Sequence, residues 1–270
     1  MKGKMPLVFA GISPHPPILL PEIGKPEDLA KVVETTQALN KLGRILNEAE
    51  IDTLIVISPH MLVYPDKFNI CGIKKLFGTF SSFDAPEVIM EFNNDLELAS
   101  QVYSETEKEG IDAFLYDNDS EFFEMDHGLM VPLYFLSRQQ ESKFKVLPVA
   151  YSFQDKTRHF ALGEIIGNIA KRTNKRIGIL ASGDFSHQLM QKSQTKEYDE
   201  KLINDLREKN IKDILFYEDE MIEDWNECGF RSVLILLGAI ENTNFTPEIL
   251  SYEGPFGVGY LVANFKLPEN

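Results

Sequence analysis

Residues 7–15 read Leu-Val-Phe-Ala-Gly-Ile-Ser-Pro-His, and this short segment indicates the architecture of the chain. Its apolar part, Leu7–Ile12, has the length and composition of a buried strand, which Ser13 and Pro14 end. A longer stretch at Glu27–Glu50 carries apolar residues at steps of three and four positions, the spacing of one helix face. A buried strand followed by an amphipathic helix is the repeating unit of α/β proteins.

Short apolar runs and longer amphipathic runs continue to alternate along the rest of the chain. Further strands are predicted at Thr53–Ser58, Phe68–Ile73, Val88–Phe92, Phe144–Tyr151, Arg176–Ala181, Leu250–Ser251 and Val258–Phe265. Further helices are predicted at Asp95–Glu109, Leu129–Leu136, His159–Arg172, Glu197–Lys209 and Cys228–Ile240. The alternation predicts an α/β fold with a largely parallel sheet and helices on both of its faces. Since no repeat or linker divides the sequence, we expect a single domain over residues 1–270.

The composition argues against several classes of protein. The chain has 270 residues, with 27 Lys and Arg against 42 Asp and Glu, and a formal net charge of −15. Binding to nucleic acid or to an anionic membrane is not expected, because both need a surface rich in Lys and Arg. Two cysteines cannot form a disulfide framework, and no run approaches the roughly 20 apolar residues of a membrane span. With no long apolar segment at its start, the chain is expected to be cytoplasmic.

Three of the five histidines come just after predicted strands. His15 follows the first strand, His60 follows Thr53–Ser58, and His187 follows Arg176–Ala181. Ligands of open α/β sheets bind beyond the carboxyl ends of the strands, so these histidines converge if their strands are neighbours. Neutral imidazole is a common ligand of iron, copper and zinc, and we therefore predict a metal site at the C-terminal edge of the strands.

The two remaining histidines lead to different predictions. His127 comes just before a predicted helix and is expected to join the same cleft. His159 follows Lys-Thr-Arg at a predicted helix start and is expected to be solvated. Asp126 and Asp184 either cap the structures that follow them or accept a ring N–H from His127 and His187 respectively.

A third metal ligand is expected from the segment Trp-Asn-Glu-Cys-Gly, residues 225–229, at the start of the apolar helix. Two histidines and one carboxylate form the metal site of non-haem Fe(II) oxygenases, and Glu227 supplies such an oxygen. Cys228 supplies a thiolate instead, which favours copper or zinc. These two adjacent residues leave the chemistry open.

Six short motifs, taken together, resemble a known superfamily. They are Ser13-Pro14-His15-Pro16-Pro17, Ser58-Pro59-His60, Asp126-His127-Gly128, Gly183-Asp184-Phe185-Ser186-His187, Glu227-Cys228-Gly229 and Tyr252-Glu253-Gly254-Pro255-Phe256-Gly257. Their order and spacing are similar to those of the class III extradiol ring-cleavage dioxygenase (catalytic B subunit) superfamily. Within it, the chain most resembles the Memo-like branch, the proteins of the AmmeMemoRadiSam system. The resemblance extends from about Leu7 to Phe265.

The resemblance implies a single α/β domain with the metal at the sheet edge. It implies that His15 and His60 are the two histidine ligands. It further implies that His187 is an acid–base histidine and that His127 contacts substrate or oxygen. Ring-cleaving members have a glutamate as third ligand, whereas Memo-like members have a cysteine at the start of this helix, a position that Cys228 matches.

Two functions of different classes follow. The leading hypothesis is an Fe(II)-dependent extradiol-type dioxygenase that cleaves a catechol-like aromatic substrate with O₂. The alternative is a Memo-like protein that binds copper or iron through Cys228 without ring cleavage and serves a radical-enzyme partner of the same system. Fe(II) is the expected cofactor, with copper or zinc as alternatives, and an oligomer is compatible with either function. The candidate catalytic residues are His187, His127 and Asp184, and the candidate metal ligands are His15, His60, Glu227 and Cys228.

A third hypothesis makes the protein a cysteine hydrolase. Cys228 would be the nucleophile, with His187 and Asp184 as its partners. This hypothesis ranks last because it leaves His15 and His60 without a role.

Overall fold

A computed structural model describes residues 7–138 and 144–268 of the protein. The strands in these residues are β1 (Leu7–Ser13), β2 (Thr53–Ser58), β3 (Phe68–Cys71), β4 (Lys75–Phe80), β5 (Ala85–Asn93), β6 (Ala113–Tyr116), β7 (Phe123–Glu124), β8 (Lys145–Ala150), β9 (Ile177–Ser182), β10 (Thr246–Glu253) and β11 (Tyr260–Lys266). The helices are α1 (Pro26–Leu29), α2 (Val33–Glu48), α3 (Leu96–Lys108), α4 (His127–Ser137), α5 (Lys156–Arg172), α6 (Ser193–Glu208), α7 (Ile211–Leu215), α8 (Asp219–Trp225) and α9 (Phe230–Ile240). Strands and helices alternate along most of the chain, as the sequence predicts.

The main sheet has eight strands in the order β10-β11-β1-β9-β2-β8-β3-β6. Four of its seven pairings are parallel, namely β1 with β9, β9 with β2, β2 with β8, and β3 with β6. Its apolar side chains alternate between two buried clusters: Leu54 and Val56 belong to one, Ile55 and Ile57 to the other. Helices α5 and α9 cover one face, and α2 and α4 cover the other. The α/β fold with a largely parallel sheet is confirmed.

One prediction about secondary structure was wrong, and several short elements, among them β4, were not predicted. The single helix expected at Glu27–Glu50 is divided into α1 and α2, because Val32 between them leaves helical geometry, with φ −120° and ψ 26°, and is fully buried. Strand β4 was not predicted, and it forms a second sheet of order β5-β4-β7. Gly78 weakens the strand pattern of this segment in the sequence. The fold needs a glycine there, because a Cβ would lie only 2.5 Å from Met130 Sδ.

The prediction that His159 is solvated was also wrong, because its side chain is fully buried. Helix α5 begins at Lys156, three residues before His159, and carries the imidazole inward against the Phe68 ring, with centroids 5.0 Å apart. The ring Nδ1 lies 3.0 Å from the Asp155 carbonyl oxygen, and the ring Nε2 lies 2.9 Å from the Ser152 carbonyl oxygen and 3.4 Å from the Ser152 nitrogen. The polar and basic residues that precede His159 in the sequence therefore do not surround its ring in the fold.

The position of α9 depends on a close crossing with α5. A Cβ at Gly163 would lie 2.0 Å from the Ile235 carbonyl oxygen, and one at Gly238 would lie 2.0 Å from the Phe160 carbonyl oxygen. Only glycine permits this backbone contact. Because α9 begins two residues after Cys228, the crossing also sets where that cysteine lies.

Within residues 7–138 and 144–268, every helix is too short or too polar to cross a bilayer.

We expect the substitution His159→Gln to flatten the dependence of stability on pH. Burial lowers the pKa of His159 from 6.5 to about 4, so the unfolded chain takes up this proton at a higher pH than the folded chain does. The stability that the chain gains from burying a neutral His159 is complete above pH 6.5 and is lost as the pH falls towards 4. Its full size is on the order of 3 kcal/mol.

The measurement is the free energy of unfolding of both chains in denaturant across this pH range. Values above pH 7, where the imidazole is neutral in both the folded and the unfolded state, serve as the control for the cost of the substitution itself. Parallel curves for the two chains would contradict the prediction.

Candidate metal centre

Three neighbouring parallel strands bring the candidate residues to one edge of the main sheet. Strands β1, β9 and β2 are adjacent in that order, and each ends in a buried serine: Ser13, Ser182 and Ser58. From these strand ends the chain continues into the segments that carry His15, His187 and His60, respectively. The predicted convergence at the carboxyl ends of the strands therefore takes place.

Side-chain atoms of three segments meet at this edge. The Nε2 atoms of His15 and His60 are 3.0 Å apart, and the Cys228 Sγ lies 3.5 Å from His15 Nε2. All three donor atoms lie within 4.8 Å of one another. His15 is buried, whereas His60 is exposed, so the cluster is open to solvent on one side.

These distances fit a single transition-metal ion. Metal–nitrogen bonds are about 2.0–2.1 Å long and metal–sulfur bonds about 2.3 Å. Donor atoms 3.0 and 3.5 Å apart are therefore close enough for one ion to bind both members of each pair. Two imidazoles and a thiol are also donors that bind copper, iron and zinc.

Glu227 and Cys228 point in different directions although they are adjacent. The Glu227 carboxylate accepts a hydrogen bond from the N–H of Phe230, the first residue of α9, where a negative charge is favourable. Burial raises the pKa of Glu227 to about 7. The Cys228 Sγ instead faces the histidines and accepts a hydrogen bond from the Asp184 N–H at 3.2 Å. Burial and the nearby Asp184 carboxyl raise the pKa of the Cys228 thiol.

The other predicted histidines lie beside the cluster. The His127 ring stacks on His60, with centroids 4.2 Å apart, and lies 5.4 Å from the His15 ring. His187 forms a second close group with Asp184 and Cys228, again within 4.8 Å. The tertiary structure therefore brings four histidines from four segments into one site.

The two aspartates do not make the hydrogen bonds to histidine rings that one interpretation of the sequence expected. Asp184 Oδ1 accepts the backbone N–H of His15 at 3.0 Å, and its Oδ2 lies 3.8 Å from His15 Nε2. Asp126 accepts the N–H of Leu129 at 3.1 Å and so caps α4. The prediction that Asp126 caps the structure that follows it is therefore confirmed.

Burial decides the charge states in this site. It lowers the pKa of His15 well below the ordinary value, with the neighbouring histidines adding to the effect. Partial desolvation, together with His127 and His187, lowers the pKa of the more exposed His60 to about 4. It also lowers the pKa values of His127 and His187. The imidazoles are therefore neutral at pH 7 and have lone pairs for a metal. Burial raises the pKa of Asp184 to about 7.

Asp199 is a buried residue behind the site that sequence reasoning missed. This buried carboxylate on α6 accepts hydrogen bonds from the Ser186 N–H, the Trp225 indole N–H and the Tyr252 hydroxyl. It thereby ties the loop before His187 to the end of α8. Nothing near Asp199 in the sequence signals this role, because its partners lie 13 to 53 residues away.

A cavity of about 350 Å³ opens beside His127. Apolar and aromatic side chains form much of its wall, among them Phe80, Phe83 and Met130. The Phe83 ring contacts the His127 ring edge-on, with centroids 5.7 Å apart. The site is therefore next to a cavity whose lining combines aromatic side chains with polar ones such as Thr79 and Glu124.

Comparison with known families gives one match over most of the chain. A family model described as "Catalytic LigB subunit of aromatic ring-opening dioxygenase" matches residues 10–263. All the candidate residues of the site lie inside this range.

Curated relatives and a solved structure add to this match. A protein of Clostridium acetobutylicum is 31% identical in an alignment of 269 positions that covers 95% of this chain and 57% of that protein. A MEMO1 family protein of Methanococcus maripaludis is 28% identical over 69% of this chain and 61% of its own length. A MEMO1 family protein of Methanocaldococcus jannaschii is 34% identical over 43% of this chain and 40% of its own length. The chain thus spans about half the length of the curated relatives it matches.

An uncharacterized protein of Escherichia coli K12 has a similar structure, with a TM-score of 0.66 over 95% of this chain and 99% of that one. At 15% sequence identity, this likeness shows the fold alone.

We expect Gly183→Ala to weaken metal binding. A Cβ at Gly183 would lie 2.1 Å from the Gly229 Cα, so the loop after β9 and the segment that carries Cys228 would have to separate. A loss of about tenfold or more in metal affinity should follow. Titration of the metal-free protein with Cu(I) or Fe(II) measures it.

The matched control is Gly178→Ala, on the strand β9 that leads to Gly183. Its Cβ would meet only side chains, the nearest being Leu54 Cδ1 at 3.0 Å, far along β9 from the site. Its metal affinity should equal that of the unaltered protein, and equal losses in both variants would contradict the prediction.

Proposed function

This chain belongs to the LigB family and resembles its MEMO1-like members, and we propose that it binds one copper or iron ion through His15, His60 and Cys228. The observation that carries the proposal is the direction of two adjacent side chains. The Cys228 Sγ is 3.5 Å from His15 Nε2, while the Glu227 carboxylate accepts a hydrogen bond from the first turn of α9. The donor set is therefore two imidazoles and a thiol rather than two imidazoles and a carboxylate.

The chemistry of these donors supports a role in metal binding. A thiolate is a soft ligand and selects copper, iron or zinc, and in this set it takes the position that a carboxylate has in Fe(II) oxygenases. The neutral histidines need not lose a proton from a charged ring to bind, whereas the Cys228 thiol does lose its proton. When bound, an ion of this kind supplies Lewis acidity or a redox centre.

Asp184 has a supporting role in this proposal. Its backbone N–H donates to the Cys228 sulfur and its carboxyl accepts the His15 N–H, so it holds both ligand segments. The radical-enzyme partner expected from the resemblance stays a prediction, as do the single domain over residues 1–270 and the activity of the whole protein.

A second candidate function is ring cleavage of a catechol-like substrate with O₂. The observation that favours it is that His127 and His187 stand beside the ligand cluster without being needed to hold an ion. A neutral His187 is able to accept a phenolic proton, and the cavity beside His127 offers aromatic walls.

The pair Cys228→Ser and Glu227→Gln separates the two possible third ligands. We expect Cys228→Ser to lower the affinity for Cu(I) or Fe(II) by about 100-fold or more, because a neutral hydroxyl is a poor substitute for a thiolate. Glu227→Gln should leave that affinity unchanged, because the amide oxygen of glutamine is still able to accept the Phe230 N–H.

Metal titrations and denaturant unfolding of both variants provide the readouts. A thiolate-to-metal charge-transfer absorption should disappear only in Cys228→Ser. The opposite pattern, with metal binding lost in Glu227→Gln alone, would overturn the proposed ligand set and favour the oxygenase.

We expect no ring cleavage when the Fe(II)-loaded protein is mixed with catechols and O₂. The reason is the thiolate in place of the carboxylate ligand that ring-cleaving members have. Oxygen uptake and the absorbance of a muconic semialdehyde product are the measurements. Turnover that disappears in His187→Ala, with metal binding intact, would establish the second candidate function instead.

A further inference from the structure

We infer that Ser182 fixes the tautomer of His15, so that the Nε2 lone pair of this ring faces the metal position before any ion binds. Ser182 is then a positioning residue, and the inference rests on the proposed metal site. It follows from a chain of hydrogen bonds that runs from α4 through β9 to the ring.

The chain begins at a carbonyl group of α4 that has lost its usual partner. In an α-helix the carbonyl of residue i accepts the N–H of residue i+4, and for Gly128 that residue is Pro132. Proline has no backbone N–H, so the carbonyl of Gly128 needs a donor from outside the helix.

Ser182 is that donor. Its Oγ lies 2.5 Å from the Gly128 carbonyl oxygen, and both residues are buried. A serine hydroxyl has a single proton. Because a carbonyl can only accept a hydrogen bond, the proton of Ser182 lies between Oγ and Gly128.

The same Oγ can therefore only accept from His15. His15 Nδ1 lies 3.0 Å from Ser182 Oγ, and with the hydroxyl proton committed elsewhere the ring must donate. Nδ1 then carries the hydrogen and Nε2 carries the lone pair. This Nε2 is the atom that lies 3.0 Å from His60 Nε2 and 3.5 Å from Cys228 Sγ.

The arrangement makes the two histidines unequal in the metal-free protein. His15 Nε2 accepts, so the exposed His60 ring supplies the hydrogen between the two Nε2 atoms. To offer its Nε2 lone pair to an ion, the exposed His60 ring would have to shift its hydrogen from Nε2 to Nδ1 by exchange with solvent, whereas His15 would keep its tautomer.

The N-terminal end of α4 also supports His60. The Ser58 hydroxyl donates to Asp126 Oδ1 at 2.9 Å and accepts the His60 backbone N–H at 3.2 Å. A Cβ on Gly128 would lie 2.5 Å from Ser58 Oγ and 3.3 Å from the His60 ring, so glycine is required for this approach. One helix end therefore holds both histidines through two serines.

The test of the inference is the tautomer of His15 in the full-length, metal-free protein. Long-range ¹H–¹⁵N NMR spectra of protein labelled at histidine nitrogens distinguish a protonated Nδ1 from a protonated Nε2, and His15→Asn assigns the signal. We expect His15 as the Nδ1–H tautomer. A protonated Nε2 with a bare Nδ1 would overturn the inference.

The variant Ser182→Ala removes the acceptor for Nδ1–H. We expect a mixture of His15 tautomers and a loss of about 10- to 100-fold in affinity for Cu(I) or Fe(II). The matched control is Ser13→Ala: Ser13 is the register partner of Ser182 on β1, equally buried, and its hydroxyl donates to the Pro14 carbonyl. This control should leave the tautomer and the affinity unchanged, and an unchanged tautomer in Ser182→Ala would contradict the inference.

The two proposals fail in different ways. A protein that shows the Nδ1–H tautomer of His15 but binds no metal would refute the proposed function and leave the role of Ser182 intact. A protein that binds metal through Cys228 while His15 carries its hydrogen on Nε2 in the metal-free state would refute the role of Ser182 alone.

Discussion

The burial of His15 is the constraint on which the rest of the site depends. This ring is only 2% exposed, so each of its polar atoms needs a partner from the protein. Asp184 binds its backbone N–H, Ser182 binds Nδ1, and His60 and Cys228 face Nε2. These partners come from separate segments, and the single ring therefore determines how the ends of β1, β9 and β2 and the start of α9 are arranged.

The start of α9 determines what kind of metal chemistry the site offers. A helix leaves its first N–H groups without partners, and the Glu227 carboxylate binds one of them. The next residue then projects to the other side, so Cys228 reaches the histidines. The close crossing of α9 over α5 at Gly163 and Gly238 sets the position of the helix that follows these two side chains.

Charge at the site differs from charge over the whole molecule. The chain carries a formal net charge of −15, yet burial keeps the four clustered histidines neutral and raises the pKa of Asp184 to about 7. A neutral, partly buried set of lone pairs suits a cation, because the ion brings the charge that the site lacks. The net negative charge comes from the excess of Asp and Glu over the whole chain, whereas the neutrality of the site comes from burial.

The sequence by itself determined the α/β fold and the edge where His15 and His60 meet, because apolar periodicity and strand–histidine spacing are local properties. It did not reveal the burial of His159, the second sheet around Gly78 or the role of Asp199, since each depends on partners distant in the chain. It also did not decide whether Glu227 or Cys228 is the third metal ligand. Only the tertiary structure separated them, because the direction of a side chain is decided by the helix end and the neighbouring strands that enclose it.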